Sequence, residues 1–326
     1  MFSRLSDADL GAVFRPLGEP MQRLPSDLTA ALRLPIIAAP MFLVSGPDLV
    51  IASCKAGIIG AFPTANCRTL DDLDRWLTQI VAETDGKAPF AANLIVHRSN
   101  NRLQEDAELV AEHRTPLVIA SVGNPAPIID KIHAYGGKVF ADIASLRHAE
   151  KAITAGVDGL ILLTAGAGGQ TGWANPFAFV RAVRAIFDGP IVMAGGIGDA
   201  TALKAALVLG ADLAYMGTRF IATQESMAVA GYKGMLVSSY LDDVLLSRAF
   251  TGLPSSTLKP SIVAAGLDPD NLPERGTINV SEDINPEKRP KRWKDIWSAG
   301  HSVSAVNDVP TVADLVAALE QSYFPH

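Results

Sequence analysis

The chain has 326 residues, a formal net charge of −6, 48% hydrophobic and 19% charged residues. These proportions describe a compact soluble enzyme rather than a disordered chain, and the length admits two average domains or one large α/β barrel. Net acidity, the lack of a long basic run and an aromatic content of 6% exclude a nucleic-acid-binding role.

No apolar stretch reaches the roughly 18 residues of a membrane span. The opening MFSRLSDADLGAVFRPLG lacks the apolar core of a secretory leader, so a cytoplasmic location is expected and no membrane partner. Cys54 and Cys67 have no metal-site spacing and read as packed thiols, and no His, Cys or carboxylate cluster predicts a metal.

Eight short apolar runs bounded by Gly or Pro then follow in order. They are Pro35–Met41, Gly57–Phe62, Phe90–Val96, Pro116–Ser121, Lys138–Asp142, Gly159–Leu163, Pro190–Ala194 and Ala211–Met216. Apolar runs without alternation mark strands buried on both faces, as in parallel sheets. Between them, apolar residues at three- and four-residue spacing predict helices at Leu70–Val81, Pro125–Tyr135, Leu146–Ala155 and Ala200–Leu209. Gly136, Gly156 and Gly210 stand at the stop positions. Strand starts recur roughly every 20–32 residues, the period of a β-α unit, and predict an α/β fold of the TIM (β/α)8 barrel type. A doubly wound open sheet is the competitor.

Residues 225–305 depart from this rhythm. Met227–Leu246 reads as helical, Ala249–Pro273 is rich in Pro, Gly and Ser, and Glu282–Arg292 is a mixed charge run that reads as a solvated loop. Thr311 and Asp314 resemble a capping box opening a last helix to about Tyr323. The expected organisation is a barrel over 1–224, a mostly helical cap or lid over 225–305, and a helix over 306–326 returning to the barrel.

Active sites of such barrels lie at the C-terminal strand ends, with phosphates held after the last two strands. Here those ends are Ala194-Gly195-Gly196-Ile197-Gly198-Asp199 and Met216-Gly217-Thr218-Arg219-Phe220. Adjacent glycines let backbone N–H groups approach a phosphate, and Thr218 adds a hydroxyl. Asn93 within an apolar run needs a partner, either a backbone group or a polar cofactor across the barrel mouth. Asp142 ends its strand with a carboxylate that barrel stability does not require, and faces either a cofactor or a neighbouring loop. Trp173 and Phe220 read as wall or core. His97 and His301 read as loop residues near the mouth, and His113, His133 and His148 as helix-surface groups.

Together PIIAAPM, FAANL, LLTAGAGGQTG, PIVMAGGIGDATAL, ADLAYMGTRFIATQES and WKDIWSAGHSV resemble the nitronate monooxygenase (2-nitropropane dioxygenase-like) flavoproteins, over roughly residues 33 to 320. The resemblance implies a TIM barrel binding FMN non-covalently beneath a mostly helical extra domain. It places Ala39 and Met41 beside the isoalloxazine, Met41 through its backbone, and Asn93 at the ring or ribityl chain. It runs Ala165, Gly168 and Gly169 beside the flavin and sets Gly195, Gly196, Gly217 and Thr218 on the phosphate.

Two residues depart from the family pattern: Gln170 stands where the family places its catalytic histidine, and Asp142 where many members place a lysine or other polar donor. Both are candidate catalytic and cofactor-binding residues. Glutamine cannot take a proton near neutral pH but can orient a substrate, so a preformed nitronate suits the site better than a neutral nitroalkane. The expected activity is FMN-dependent oxidation of a nitronate or related small substrate with O2. An NAD(P)H-dependent quinone or enoyl reductase on the same barrel, and a non-catalytic flavin-binding protein, are the alternatives. A homodimer is compatible with the sequence and not required by it.

Overall fold

The structure, a computed structural model, describes residues 23–272 and 296–324. The charge run Glu282–Arg292 lies outside the described residues. Eight parallel strands close into a barrel: β1 (Ile36–Ala38), β2 (Ile59–Pro63), β3 (Phe90–Ile95), β4 (Leu117–Ser121), β5 (Lys138–Ile143), β6 (Gly159–Leu163), β8 (Ile191–Ala194) and β9 (Leu213–Met216). Pairing of Ile37 with Tyr215 closes the ring, which rules out the open sheet. Strand β7 (Gly169–Gln170) stands apart from it.

Helix α1 (Ser26–Thr29) precedes the barrel. Around it run α2 (Pro47–Lys55), α3 (Leu70–Thr84), α4 (Leu103–Glu112), α5 (Ala126–His133), α6 (Leu146–Ala155), α7 (Pro176–Arg184) and α8 (Ala200–Leu209). Their ends follow local chemistry. The Asp199 carboxylate accepts from Ala202 N at 2.8 Å to open α8, and Gly210 closes it with φ +108°. Such an N-cap contributes about 1 kcal/mol. Thr69 and Asp72 form a reciprocal capping box at the start of α3.

The core has two shells. Residues such as Ile37, Ala91, Ile119, Phe140, Ile161 and Leu213 fill the barrel interior. Their strand neighbours of opposite parity, with the apolar helix faces, fill the space outside it. The thiols of Cys54 and Cys67 are buried there, and burial pushes both up to about 12.

At the opposite end from the strand C-termini, Asp212 ties the barrel base together. Its buried carboxylate accepts from Arg184 Nη2 at 2.6 Å, Arg23 Nη1 at 3.3 Å and Ile191 N at 2.9 Å. The last helix, α12 (Val312–Tyr323), lays Val312, Leu315, Val316 and Leu319 into the barrel's outer core. Glu225 accepts from its first amide at 3.0 Å.

Between β9 and α12 the chain forms α9 (Thr218–Ile221), α10 (Ala230–Ser238), a hairpin of β10 (Val244–Ser247) and β11 (Ser255–Leu258), and α11 (Lys259–Ala264). Met227–Leu246 is therefore not one helix, because Val244–Ser247 pairs with β11. That hairpin recruits β7 into a three-stranded sheet, with Ser255 opposite Gln170.

Asp212→Ala strands two guanidinium groups at the base and is expected to lower stability by roughly 3–5 kcal/mol. Urea denaturation checks this; a loss under about 1 kcal/mol would contradict the assignment.

Candidate active site at the barrel mouth

A cavity of about 300 Å³ opens at the C-terminal end of the barrel, within the range of small-molecule and cofactor sites. Its floor continues the barrel interior. Two residues beyond the inward positions Ile37, Ala61, Ala91 and Ile119 come Ala39, Pro63, Asn93 and Ser121. On the other four strands Phe140, Ile161, Val192 and Leu213 are followed in the same way by Asp142, Leu163, Ala194 and Tyr215. Period-two alternation keeps each pair on the inner face. The deeper positions are apolar, whereas Asn93, Ser121, Asp142 and Tyr215 give the floor polar groups.

Asn93 Nδ2 donates to the Ile119 carbonyl and to Ser121 Oγ, each at 3.0 Å. The amino half of that amide is structural, and the residue lies on the cavity floor. Asp142 is different, because its Oδ1 is buried with no hydrogen-bond partner. Burial pushes its carboxyl up to about 7. The Tyr215 phenol is pushed well above its usual 10 by burial, and further by Asp142.

Gly195 (φ +119°) and Gly196 (φ +74°) form one wall after β8, and Gly217 and Thr218 form the next after β9. A Cβ on Gly195 would lie 2.5 Å from Thr164 Oγ1, so this turn is pressed against the loop after β6. Buried Thr218 Oγ1 accepts from Gly300 N at 2.8 Å, which leaves its own proton free to donate.

Of the glycines after β6, Gly168 faces a backbone neighbour and Gly166 the His301 side chain. A Cβ on Gly168 would sit 2.7 Å from Gly300 N, and one on Gly300 would sit 2.7 Å from the Gly166 carbonyl oxygen. The His301 amide donates to that same carbonyl at 2.9 Å. The loop therefore packs on residues 299–301, and both segments line the cavity. Gln170 lines it from the cap sheet, paired with Ser255. Tyr232 and Trp297 stack with ring centroids 5.1 Å apart and 11° between planes. Both border the cavity, and Tyr232 Oη donates to the Ser298 carbonyl and accepts from its amide.

The structure brings Ala39, Met41, Asn93, Asp142, Gly168, Gly169, Gln170, Gly195, Gly196, Gly217 and Thr218 to one cavity. Ala165 is the exception: its amide donates to the Ala174 carbonyl at 2.8 Å, and it does not line the cavity. Met41 lines it, but its amide donates to Ser45 Oγ and its carbonyl accepts from Asn66 Nδ2. Both of its backbone polar groups thus already have partners within the protein.

Trp173 is 80% exposed and not a wall, because Gly172 turns against the Leu163 carbonyl and sends the chain outward. Phe220 is core. His301 has an exposed side chain, and His97 closes a local turn on Ser99 at 2.8 Å. His113 pairs with Asp74 and His133 with Asp158. Among the described residues no histidine lines the cavity. The sequence reading missed Tyr215, Tyr232, Trp297 and Gly300. Tyr215 carried a local signal, its inward parity with Leu213, while Trp297 and Gly300 lay within the quoted WKDIWSAGHSV segment.

One consequence is measurable without any ligand. The folded Asp142 carboxyl keeps its proton to about pH 7, whereas an unfolded aspartate loses it near about 3.9. Between those values the unfolded state binds fewer protons, so stability falls as pH rises through that window. Asn cannot ionise. Asp142→Asn is expected to melt with wild type near about pH 4 and progressively above it by about pH 7, by on the order of 3–4 kcal/mol. Thermal denaturation across pH checks this; a difference that does not vary with pH contradicts it.

Residues 98–322 match the nitronate monooxygenase family. The chain is 31% identical over 284 residues to the (3aS,4S,5R,7aS)-5-hydroxy-7a-methyl-1-oxo-octahydro-1H-indene-4-carboxyl-CoA dehydrogenase of Rhodococcus jostii, covering 84% of this chain and 76% of the relative. It is 27% identical over 340 residues to a nitronate monooxygenase of Paraburkholderia phytofirmans, covering 88% and 91%. Among solved structures, FabK from Thermotoga maritima superimposes with a TM-score of 0.76 at 25% identity, covering 91% of this chain and 94% of that one. Among the described residues no helix is long and apolar enough to cross a membrane. The barrel, the cavity at its mouth and these likenesses together make the chain a member of the nitronate monooxygenase family of flavin-dependent oxidoreductases.

Proposed function

We propose that the cavity holds FMN and that the chain oxidises a nitronate or a related small electron-rich substrate, with O2 as electron acceptor. The observation that carries this reading is the pairing of a polar floor with a glycine-walled phosphate cradle in one cavity. The residues fit the cofactor on two counts: Asp142 Oδ1 lacks a partner, and the Gly196 turn faces open space with φ +74°. When bound, FMN supplies redox chemistry that no side chain here provides.

Gly195, Gly196, Gly217 and Thr218 would hold the phosphate through backbone amides and the free Thr218 proton. Asn93, Asp142 and Tyr215 would support the ring system from the barrel side. Gln170, Tyr232 and Trp297 come from the cap side and would bound the substrate. The Gln170 amide orients by hydrogen bonding and removes no proton. Among the described residues no histidine lines the cavity and its lining carboxyl, Asp142, lies on the floor, so a neutral nitroalkane finds no general base among them on the cap side.

A second reading is NAD(P)H-dependent reduction of a quinone or enoyl thioester. It is favoured by one feature: among the described residues no Lys, Arg or His lines the cavity to balance a nitronate anion. A neutral carbonyl polarised by Gln170 needs no such charge. The relative with a CoA substrate fits the same reading.

Anaerobic mixing separates the two. Alkyl nitronates are expected to bleach the flavin absorption of the loaded enzyme; bleaching by NADH or NADPH alone overturns the first reading in favour of the second. Gln170→Ala is expected to slow nitronate turnover about three- to tenfold, one neutral hydrogen bond's worth. Gln170→His is expected to open turnover of neutral nitroalkanes, and steady-state oxygen uptake reads both. No gain with histidine at 170 contradicts the missing-base explanation.

A further inference from the structure

The floor carboxyl has no partner and no counter-charge. Asp142 Oδ1 is sealed from water and receives no hydrogen bond. On the elements packed around it, Ser121 of β4, Leu163 of β6, Asn93 of β3 and Tyr215 of β9 line the same floor. Only Tyr215 among them titrates; burial keeps its phenol protonated and keeps the Asp142 carboxyl protonated up to about pH 7. Asn93 and Ser121 already bond to each other, with Nδ2 donating to Oγ at 3.0 Å. Below about pH 7 Asp142 therefore has a proton to give, and its buried Oδ1 has no hydrogen-bond partner within the protein. The phenol of Tyr215 is a second O–H on the same floor.

We propose that Asp142 meets the flavin as a neutral carboxylic acid donating into the ring system, with Tyr215 as the neighbouring donor, so that flavin affinity falls when Asp142 ionises. This rests on the cavity being the flavin site. The polar edge of an isoalloxazine is mostly carbonyl and ring-nitrogen acceptors. A carboxylic acid complements those acceptors, whereas a carboxylate sets lone pair against lone pair. Because the bound form needs the proton, affinity is level below the free carboxyl's pKa. Above it, affinity falls up to about tenfold per pH unit, until the flavin-bound carboxyl ionises as well.

The test titrates the flavin-free protein with FMN, followed by quenching of flavin fluorescence, from about pH 5.5 to about pH 9. Dividing each wild-type dissociation constant by that of Asp142→Asn at the same pH cancels ionisation of the FMN phosphate. The ratio is expected to be level at the acid end and to rise about tenfold or more by the alkaline end. Tyr215→Phe is expected to weaken FMN several-fold at every pH, since its phenol does not titrate in this range. A ratio that stays constant across pH overturns the proposal.

Absence of quenching in all three proteins overturns the FMN reading, and the proposal with it. Infrared difference spectroscopy distinguishes that failure. A protonated-carboxyl stretch present in the flavin-free wild type and absent from Asp142→Asn shows the neutral acid independently of flavin. No such band near about pH 6 overturns the neutral acid itself.

Discussion

Two glycine-bearing backbones pressed together make this site. Gly166–Gly168 and Ala299–His301 approach so closely that a methyl group on Gly168 or Gly300 would collide with main-chain atoms of the other segment. The His301 amide holds the contact by donating to the Gly166 carbonyl, and the Gly300 amide ties the same segment to Thr218 Oγ1 after β9. A barrel mouth on its own is an open dish. This contact brings a segment more than 80 residues downstream of Thr218 onto its rim and places Trp297 and Gly300 along the cavity wall.

The second constraint is the small sheet that crosses from cap to barrel. Two residues, Gly169 and Gln170, pair with Ser256 and Ser255, and Thr171 N donates to the Pro254 carbonyl at 3.0 Å. The backbone at position 170 is thereby fixed by strand pairing. The cap core of Val44, Ile221, Tyr232, Leu236, Leu258 and Val303 then packs over the same loops, so cap and barrel share apolar contacts as well as hydrogen bonds.

Much of this was legible in the residues. The eight strands are written as uninterrupted apolar runs because both their faces are buried, and helix ends at Gly156 and Gly210 announce themselves by glycine in the left-handed region. Asn93 and Asp142 stood out because a polar group in an apolar run needs a reason. Less local features were hidden. The β10–β11 hairpin is stabilised by a partner strand of only two residues, so its own sequence, rich in Ser, Gly and Pro around β11, carries little strand signal. The glycines after β6 were predicted from the resemblance to lie beside the flavin, but Gly166 and Gly168 are demanded first by the neighbouring chain, a contact no local pattern encodes. Trp173 misled because a large aromatic normally packs, and here the preceding turn carries it into solvent.

The floor and the rim do different work. The rim is built from backbone and leaves no room for a side chain at Gly168, Gly195 or Gly300. The floor is built from the inward positions of the barrel strands and presents the polar groups of Asn93, Ser121, Asp142 and Tyr215. The assignment of the cavity to FMN is tested most directly by a crystal structure of the protein grown with FMN. The predicted result is the ring system over Asn93, Asp142 and Tyr215, with its phosphate against Gly196 and Thr218. FMN ordered elsewhere on the protein, or a phosphate held away from the two glycine turns, would contradict it.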